Sequence, residues 1–402
     1  MTDSAELLRR HQPQLYYDSQ ETYFADAAAA WTDNPGNTLR RGADRDTELL
    51  ALAGGEPPLS LQFLSAGSYP GSVAVAREDT IGNPGRDYRR QAAALHLQPE
   101  YANRIYGHAV PGTGDRLWLQ YWCFYFYNDY AVAGFGLHEG DWEMIQLRLG
   151  ADEHPDLAVY AQHTHAQQRA WAKVERAADD DAAPVVYVAR GSHASYFSAG
   201  PHWTGVWFDN ADGRRRAKRP ATLEIVGDAD PAWVAWPGYW GDTRALFSGD
   251  PLDQPSPRGP GQHAQWRKPD ALIDAAEAQA AKPLPAAPVV PPLPASVTAS
   301  RVGVHLELDY TFPTPAPGQP APATLVVTIN SADDRLPPAS ESFELTGTSA
   351  AGGVTPTSRE LRDDQRYDIH VSAVSDRGVA TAALALNLPA GQDSVGWPAP
   401  AS

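Results

Sequence analysis

Leu117-Trp-Leu-Gln-Tyr-Trp-Cys-Phe-Tyr-Phe-Tyr127 is almost wholly apolar and aromatic. A strand buried on both faces reads this way, with no polar residue required at every second position. Outward from it, residues 142–149, 157–165 and 185–189 read as further strands. Residues 66–116 and 198–265 are rich in Gly, Pro, Asn and Asp and read as long loops over this sheet core rather than as helices. Pro269-Asp270 opens an Ala-rich stretch to Lys282, which reads as a closing helix with Asp270 as its N-cap. The expected fold class is mainly β: a large β-sandwich with peripheral helices and long loops, followed by a second, smaller sandwich.

The boundary between the two is drawn by proline. Between Pro283 and Pro294 six of twelve residues are proline, a composition that favours an extended, semi-rigid spacer. The expected division is a large domain at 1–282, a linker at 283–295, a small domain at 296–390 and a loose tail at 391–402. In the small domain, runs such as Val302-Gly-Val-His-Leu-Glu-Leu and Thr324-Leu-Val-Val-Thr-Ile alternate with period two between turn residues. On that pattern it resembles a fibronectin type III module.

Composition narrows the function classes. The 402 residues carry 32 Lys+Arg against 49 Asp+Glu, a formal charge of −17, which repels phosphate backbones and argues against general nucleic-acid binding. Hydrophobic residues at 43 %, with 12 Trp and 17 Tyr, exclude bulk disorder. One cysteine, Cys123, rules out an internal disulfide and a Cys-based zinc site. Its apolar surroundings predict a buried, inert thiol. The N-terminal residues show no apolar signal region, and no stretch nears about 18 uninterrupted apolar residues. The default expectation is a soluble, cytoplasmic protein, with signal-independent export as the alternative.

The chemistry gathers at strand ends. In His138-Glu-Gly-Asp-Trp-Glu143, running into 144–149, strand alternation puts Asp141, Glu143, Ile145, Leu147 and Leu149 on one side. Two carboxylates therefore begin the more apolar face, which is costly unless a cation or hydrogen bonds compensate. Val159-Tyr-Ala-Gln-His163-Thr-His165 places His163 and His165 on one face of a second strand. His193 follows a third, where Gly191 and Ser192 suggest a turn that aims the ring inward. Oxygen and imidazole donors without thiolate suit Mg²⁺ or Ca²⁺ first, with Mn²⁺ and Zn²⁺ as further candidates. A buried network of His and carboxylate ion pairs closing the sheet is the other reading of the same residues.

At these residues the chain resembles known proteins. His138-x-x-Asp141-Trp-Glu143 is similar to the core of the GHRHDWE heptapeptide of the NPP1-like necrosis-inducing cytolysins. It resembles the related Vps62 (vacuolar protein sorting 62) family more closely. The matching elements run in order: Arg10-His-Gln-Pro-Gln-Leu-Tyr-Tyr-Asp18 with Glu21, Leu119-Gln-Tyr-Trp122 through Tyr127-Asn128, and His138 to Glu143. Ala161-Gln-His163, Val186 to Tyr196, Gly238-Tyr-Trp-Gly241 and Ser256-Pro-Arg-Gly-Pro260 with Trp266 and Pro269 follow. The resemblance implies a β-sandwich holding a divalent cation through Asp129, His138, Asp141 and Glu143, with His163 and His193 as further site residues. Glu139 and Gly140 stand where the heptapeptide has Arg and a second His. His165 has no counterpart and reads as a surface residue.

Three functions follow as expectations. The first is a metal-dependent binding protein for a glycan or lipid head group, as the cytolysins recognise glycosylated sphingolipids. Peripheral membrane contact would then fall to Arg214-Arg-Arg-Ala-Lys-Arg219, which otherwise reads as a solvated loop cluster. The second is a metal-dependent enzyme, a hydrolase or a tailoring enzyme on a small hydrophobic substrate, with His193 or Glu139 as general base. The third is an adaptor whose His/carboxylate set is structural. Sequence says nothing of oligomeric state.

Overall fold

The computed structural model describes the chain except for residues 1–2, 20, 43–46, 86, 130–136, 163–164, 205–207, 218–220, 242–256, 282–288, 332–338, 346–350, 377–380, 382–383 and 399–402. It is mainly β, as the apolar run predicts. Leu117–Asn128 lies at the heart of a six-stranded sheet ordered His165–Ala170, Pro155–Gln162, His138–Leu149, Leu117–Asn128, Arg104–Pro111 and Thr222–Ile225. The first five form an antiparallel meander, and Thr222–Ile225 joins the edge in parallel. The register sets Tyr121 opposite Ile145, Cys123 opposite Glu143 and Tyr125 opposite Asp141.

Both faces of this sheet are buried, which is why the central strand needs no polar alternation. On one face Leu119, Tyr121, Tyr125, Ile145 and Leu147 meet Leu15, Tyr17, Val186 and Val188. The latter come from a second sheet in which Gln14–Tyr17 runs parallel to Asp180–Val188. Cys123 belongs to this core and is inert, burial pushing its thiol up to about 12. On the other face Trp118, Trp122, Phe124, Trp142 and Met144 pack against Trp233, Trp240, Trp266 and Leu272. The 198–265 region, expected as loop, carries the short strands Gly200–Trp203, Phe208–Ala211, Arg215–Arg216 and Thr222–Ile225, and its Trp233 and Trp240 join Trp266 in a tryptophan-rich cover.

Three further expectations are corrected. The 66–116 stretch contains a helix, Tyr88–His96, and the strand Arg104–Pro111. The helix buries Tyr88, Ala92 and Leu95, a stripe that the surrounding glycines and prolines obscure. The closing helix spans Asp270–Ala281, so Asp270 is its first residue rather than its cap; its carboxylate accepts from the Thr113 hydroxyl at 2.8 Å. In the tail, Ser394–Trp397 is a strand paired with Ser296–Val302.

The chain beyond residue 296 forms two four-stranded sheets around a core of its own, including Leu306, Leu308, Leu325, Val327, Ile369 and Val371. Ser296–Val302 and His305–Thr311 make a hairpin turning at Gly303, whose φ of 61° favours glycine. Among the described residues no helix is long and apolar enough to cross a membrane.

Candidate functional site

The charged residues collect where Leu117–Asn128 and His138–Leu149 end together. Gly140 makes the corner. Its φ is +57°, and a Cβ there would stand 2.3 Å from the Trp240 carbonyl oxygen. The second His of the cytolysin heptapeptide therefore has no room at this position.

Asp141 is the hub. Its Oδ2 accepts from His193 Nδ1 at 2.8 Å, and its Oδ1 lies 3.4 Å from His138 Nε2. Burial would raise the Asp141 carboxyl, but the two imidazoles outweigh it and hold the group at about 2. His193 is fully buried, with φ +53° in a tight turn where its N–H donates to the Ala189 carbonyl at 3.0 Å. The ring stacks on Tyr125, centroids 3.9 Å apart and planes 2° from parallel. On its far side, Nε2 faces Glu21 Oε1 at 3.7 Å, an ion pair too long for a hydrogen bond. Burial lowers the His193 pKa, yet Glu21 and Asp141 carry it up to about 10. As held, the ring lies between two carboxylates that favour its protonated form.

Glu21 is the residue that strand patterning misses. It lies in a loop after Gln14–Tyr17, and its carboxylate accepts from Thr22 N (2.7 Å), Tyr23 N (2.9 Å) and Gly191 N (2.8 Å). The only sequence signal is its place beside Asp18 in the resemblance. Although burial opposes ionisation, His193 and these amides keep its pKa below the ordinary value.

Asp129 sits nearby with its Oδ2 3.9 Å from Arg89 Nη2. Burial and the neighbouring Glu21 raise it to about 6, against the pull of Arg89 and Arg190. Glu143 is partly exposed, and no described residue donates a hydrogen bond to it. Burial, then Asp141, push its carboxyl well above the usual range. Glu139 is not joined to His193: its Oε1 accepts from Tyr88 Oη at 2.7 Å and its Oε2 from Asn83 N at 3.2 Å. Those bonds tie Tyr88, at the start of the helix Tyr88–His96, to the strand end. His163 lies outside the described residues, and His165 is exposed, as expected of a surface residue.

Two ligands of one cation, each about 2.1 Å from it, sit about 3.0–3.5 Å apart. The His138–Asp141 separation of 3.4 Å fits that spacing. Among the described residues no three His, Cys, Asp or Glu side chains converge on one point as they stand. The described site is thus a His138–Asp141 pair with the further carboxylates of Asp129 and Glu143 in its field.

In the basic run at 214–219 the described arginines make local contacts. Arg214 faces Asp212, Arg216 pairs with Asp179 at 2.8 Å, and Arg215 lies over the Phe24 ring at 4.4 Å. Lys218 and Arg219 lie outside the described residues.

No family model and no curated protein matches this sequence. Among solved structures, one titled "Myokine structure" is similar at 16 % identity, over 25 % of this chain and 99 % of that one, with a TM-score of 0.20. That likeness carries no argument about fold or function, so the reading rests on the site itself.

Proposed function

We propose that this protein binds a divalent cation at the end of its large sandwich and, through it, recognises a glycan or lipid head group. The observation that carries the reading is the gathering of four acidic side chains, Glu21, Asp129, Asp141 and Glu143, at one strand end with His138 and His193, where Asp141 contacts both rings and Glu21 faces His193. A cation is what such a cluster lacks. His138 and Asp141 would be its first ligands, with Asp129, Glu143 and His163 to complete the set. Mg²⁺ or Ca²⁺ suits the carboxylates, and Mn²⁺ or Zn²⁺ suits a larger share of imidazole. A bound hard cation supplies open positions for vicinal hydroxyls or phosphate oxygens. His193, fixed between Asp141 and Glu21, orients the Asp141 carboxylate.

One observation favours an enzyme as the second reading. Glu143 carries a raised carboxyl that is partly exposed and accepts no described hydrogen bond, as a proton donor to a bound substrate would.

Titration calorimetry of the EDTA-stripped chain with Mg²⁺, Ca²⁺, Mn²⁺ and Zn²⁺ tests the first reading. One binding event is expected, lost in Asp141→Asn and His138→Gln. Uptake of none of the four by the wild type overturns it. Cosedimentation with vesicles containing a glycosylated sphingolipid, with and without EDTA, tests the head group. Cation-dependent turnover of a phosphoester or ester library, lost in Glu143→Gln, would favour the enzyme.

A further inference from the structure

The C-terminal sandwich touches the charged end of the large domain. Arg366 pairs with Asp87, and one residue pair further along Asp368 Oδ1 lies 3.7 Å from Arg89 Nε. The other end of the same guanidinium faces Asp129. The side chains of Arg89, Asp129 and Asp368 are only 19 %, 14 % and 13 % exposed. Asp368 is fixed in turn by Asn387, whose Nδ2 donates to Oδ1 at 2.7 Å. His370, next on that face of the same strand, is buried.

Arg89 is the unusual member. Its Nε is buried with no hydrogen-bond partner among the described residues, and both carboxylates stand beyond hydrogen-bonding distance. A guanidinium normally takes a carboxylate bidentately and gains from doing so. Here it is held between two, one from each domain, and satisfies neither. Glue between domains would close on one partner. An arm held midway divides its charge instead.

We propose that Asp368 is a positioning residue of the candidate site: from the C-terminal module it draws Arg89 off Asp129, and so sets how much positive charge Asp129 receives. This rests on the reading of Asp129 as a cation-site residue. Without Asp368, Arg89 closes on Asp129 and competes with a cation there, while a negative charge is also lost. Without Arg89, Asp129 is released to a cation, although the same interdomain contact is broken. The two substitutions therefore act in opposite directions on cation affinity.

The test uses the full chain and Mn²⁺ alone. Asp368→Asn is expected to weaken Mn²⁺ binding by about fivefold or more, and Arg89→Met to tighten it by a similar factor, with Asp368→Glu restoring the wild-type value. A shift in the same direction for both variants reduces Asp368 to interface packing and overturns the proposal. The Arg89 Nε–H resonance provides a readout that needs no cation. It is expected to move in both Asp129→Asn and Asp368→Asn, and in neither case on substituting the exposed Asp309. If wild-type protein binds no Mn²⁺, the cation reading fails by itself. An Arg89 resonance that ignores Asp368→Asn then overturns the bridge as well.

Discussion

The two ends of one strand pair solve the same burial problem differently. Where Leu117–Asn128 begins and His138–Leu149 finishes, Trp118, Leu119, Leu147 and Leu149 are all fully buried and apolar. At the opposite end the same two strands carry Tyr125, His138, Asp141 and Glu143, with Asp129 just beyond. Apolar burial is non-directional, so each residue at the first end relies on the sum of its neighbours. At the second, charges rely on particular groups brought from elsewhere in the chain: Asp141 on His193, and His193 on Glu21. One end is tolerant, the other conditional.

Substitutions at the two ends separate these modes. Asp141→Ala, which leaves His138 and His193 without their carboxylate, is expected to cost about 3–5 kcal/mol at pH 7. Leu147→Ala at the apolar end is expected to cost about 2–4 kcal/mol. Denaturant unfolding across pH distinguishes them. Asp141 ionises near 2 in the fold against 3.8 as its ordinary value, so its contribution is complete above about pH 4 and fades as pH falls toward 2. The Asp141→Ala deficit should shrink over that window while the Leu147→Ala deficit stays level. Equal pH dependence of the two would break the comparison.

Gly140 lies within the charged end. Gly140→Ala combines a positive φ with the approach to the Trp240 carbonyl, and a loss of about 1–3 kcal/mol is expected in thermal unfolding. The smallest effect has the opposite sign. Asp129 ionises near 6 in the fold, so between its ordinary value and 6 the fold binds more protons than the unfolded chain, and stability falls as pH rises. In EDTA, Asp129→Asn is expected to gain about 1–2 kcal/mol at pH 8 and nothing below pH 4. A loss at pH 8 would place Asp129 among the groups whose charge holds the fold together.

The same contrast decides what can be read from sequence. Period-two alternation placed Asp141, Ile145 and Leu147 on one face because each depends on the strand alone. Gly191 and Ser192 pointed to the turn that buries His193, again a local matter. Glu21 and Arg89 escaped patterning, since neither is special where it stands. Glu21 sits in a loop, bonded to amides of its own turn, and acquires meaning only against Gly191 and His193. Arg89 lies on a helix whose apolar stripe is short and flanked by glycine and proline, and its partners come from two other regions. The Ser394–Trp397 strand was hidden by a Pro- and Gly-rich tail, where only pairing with Ser296–Val302 specifies the extended form.

The parallel pairing of Gln14–Tyr17 with Asp180–Val188 has a consequence in time as well as in space. Glu21 and Gly191, which it brings into hydrogen-bonding distance, are 170 residues apart. At roughly 5–20 residues per second, synthesis leaves Glu21 waiting on the order of 10–30 s for its partners. Until then its carboxylate stays in water, at no desolvation cost, and the imidazolium pair that later buries it does not exist. Contacts of such long range form late, after local hairpins such as Leu117–Asn128 with His138–Leu149 are available to receive them. The Glu21–Gly191 contact of the charged end therefore cannot form before the strand Asp180–Val188 and the turn after it have been synthesised.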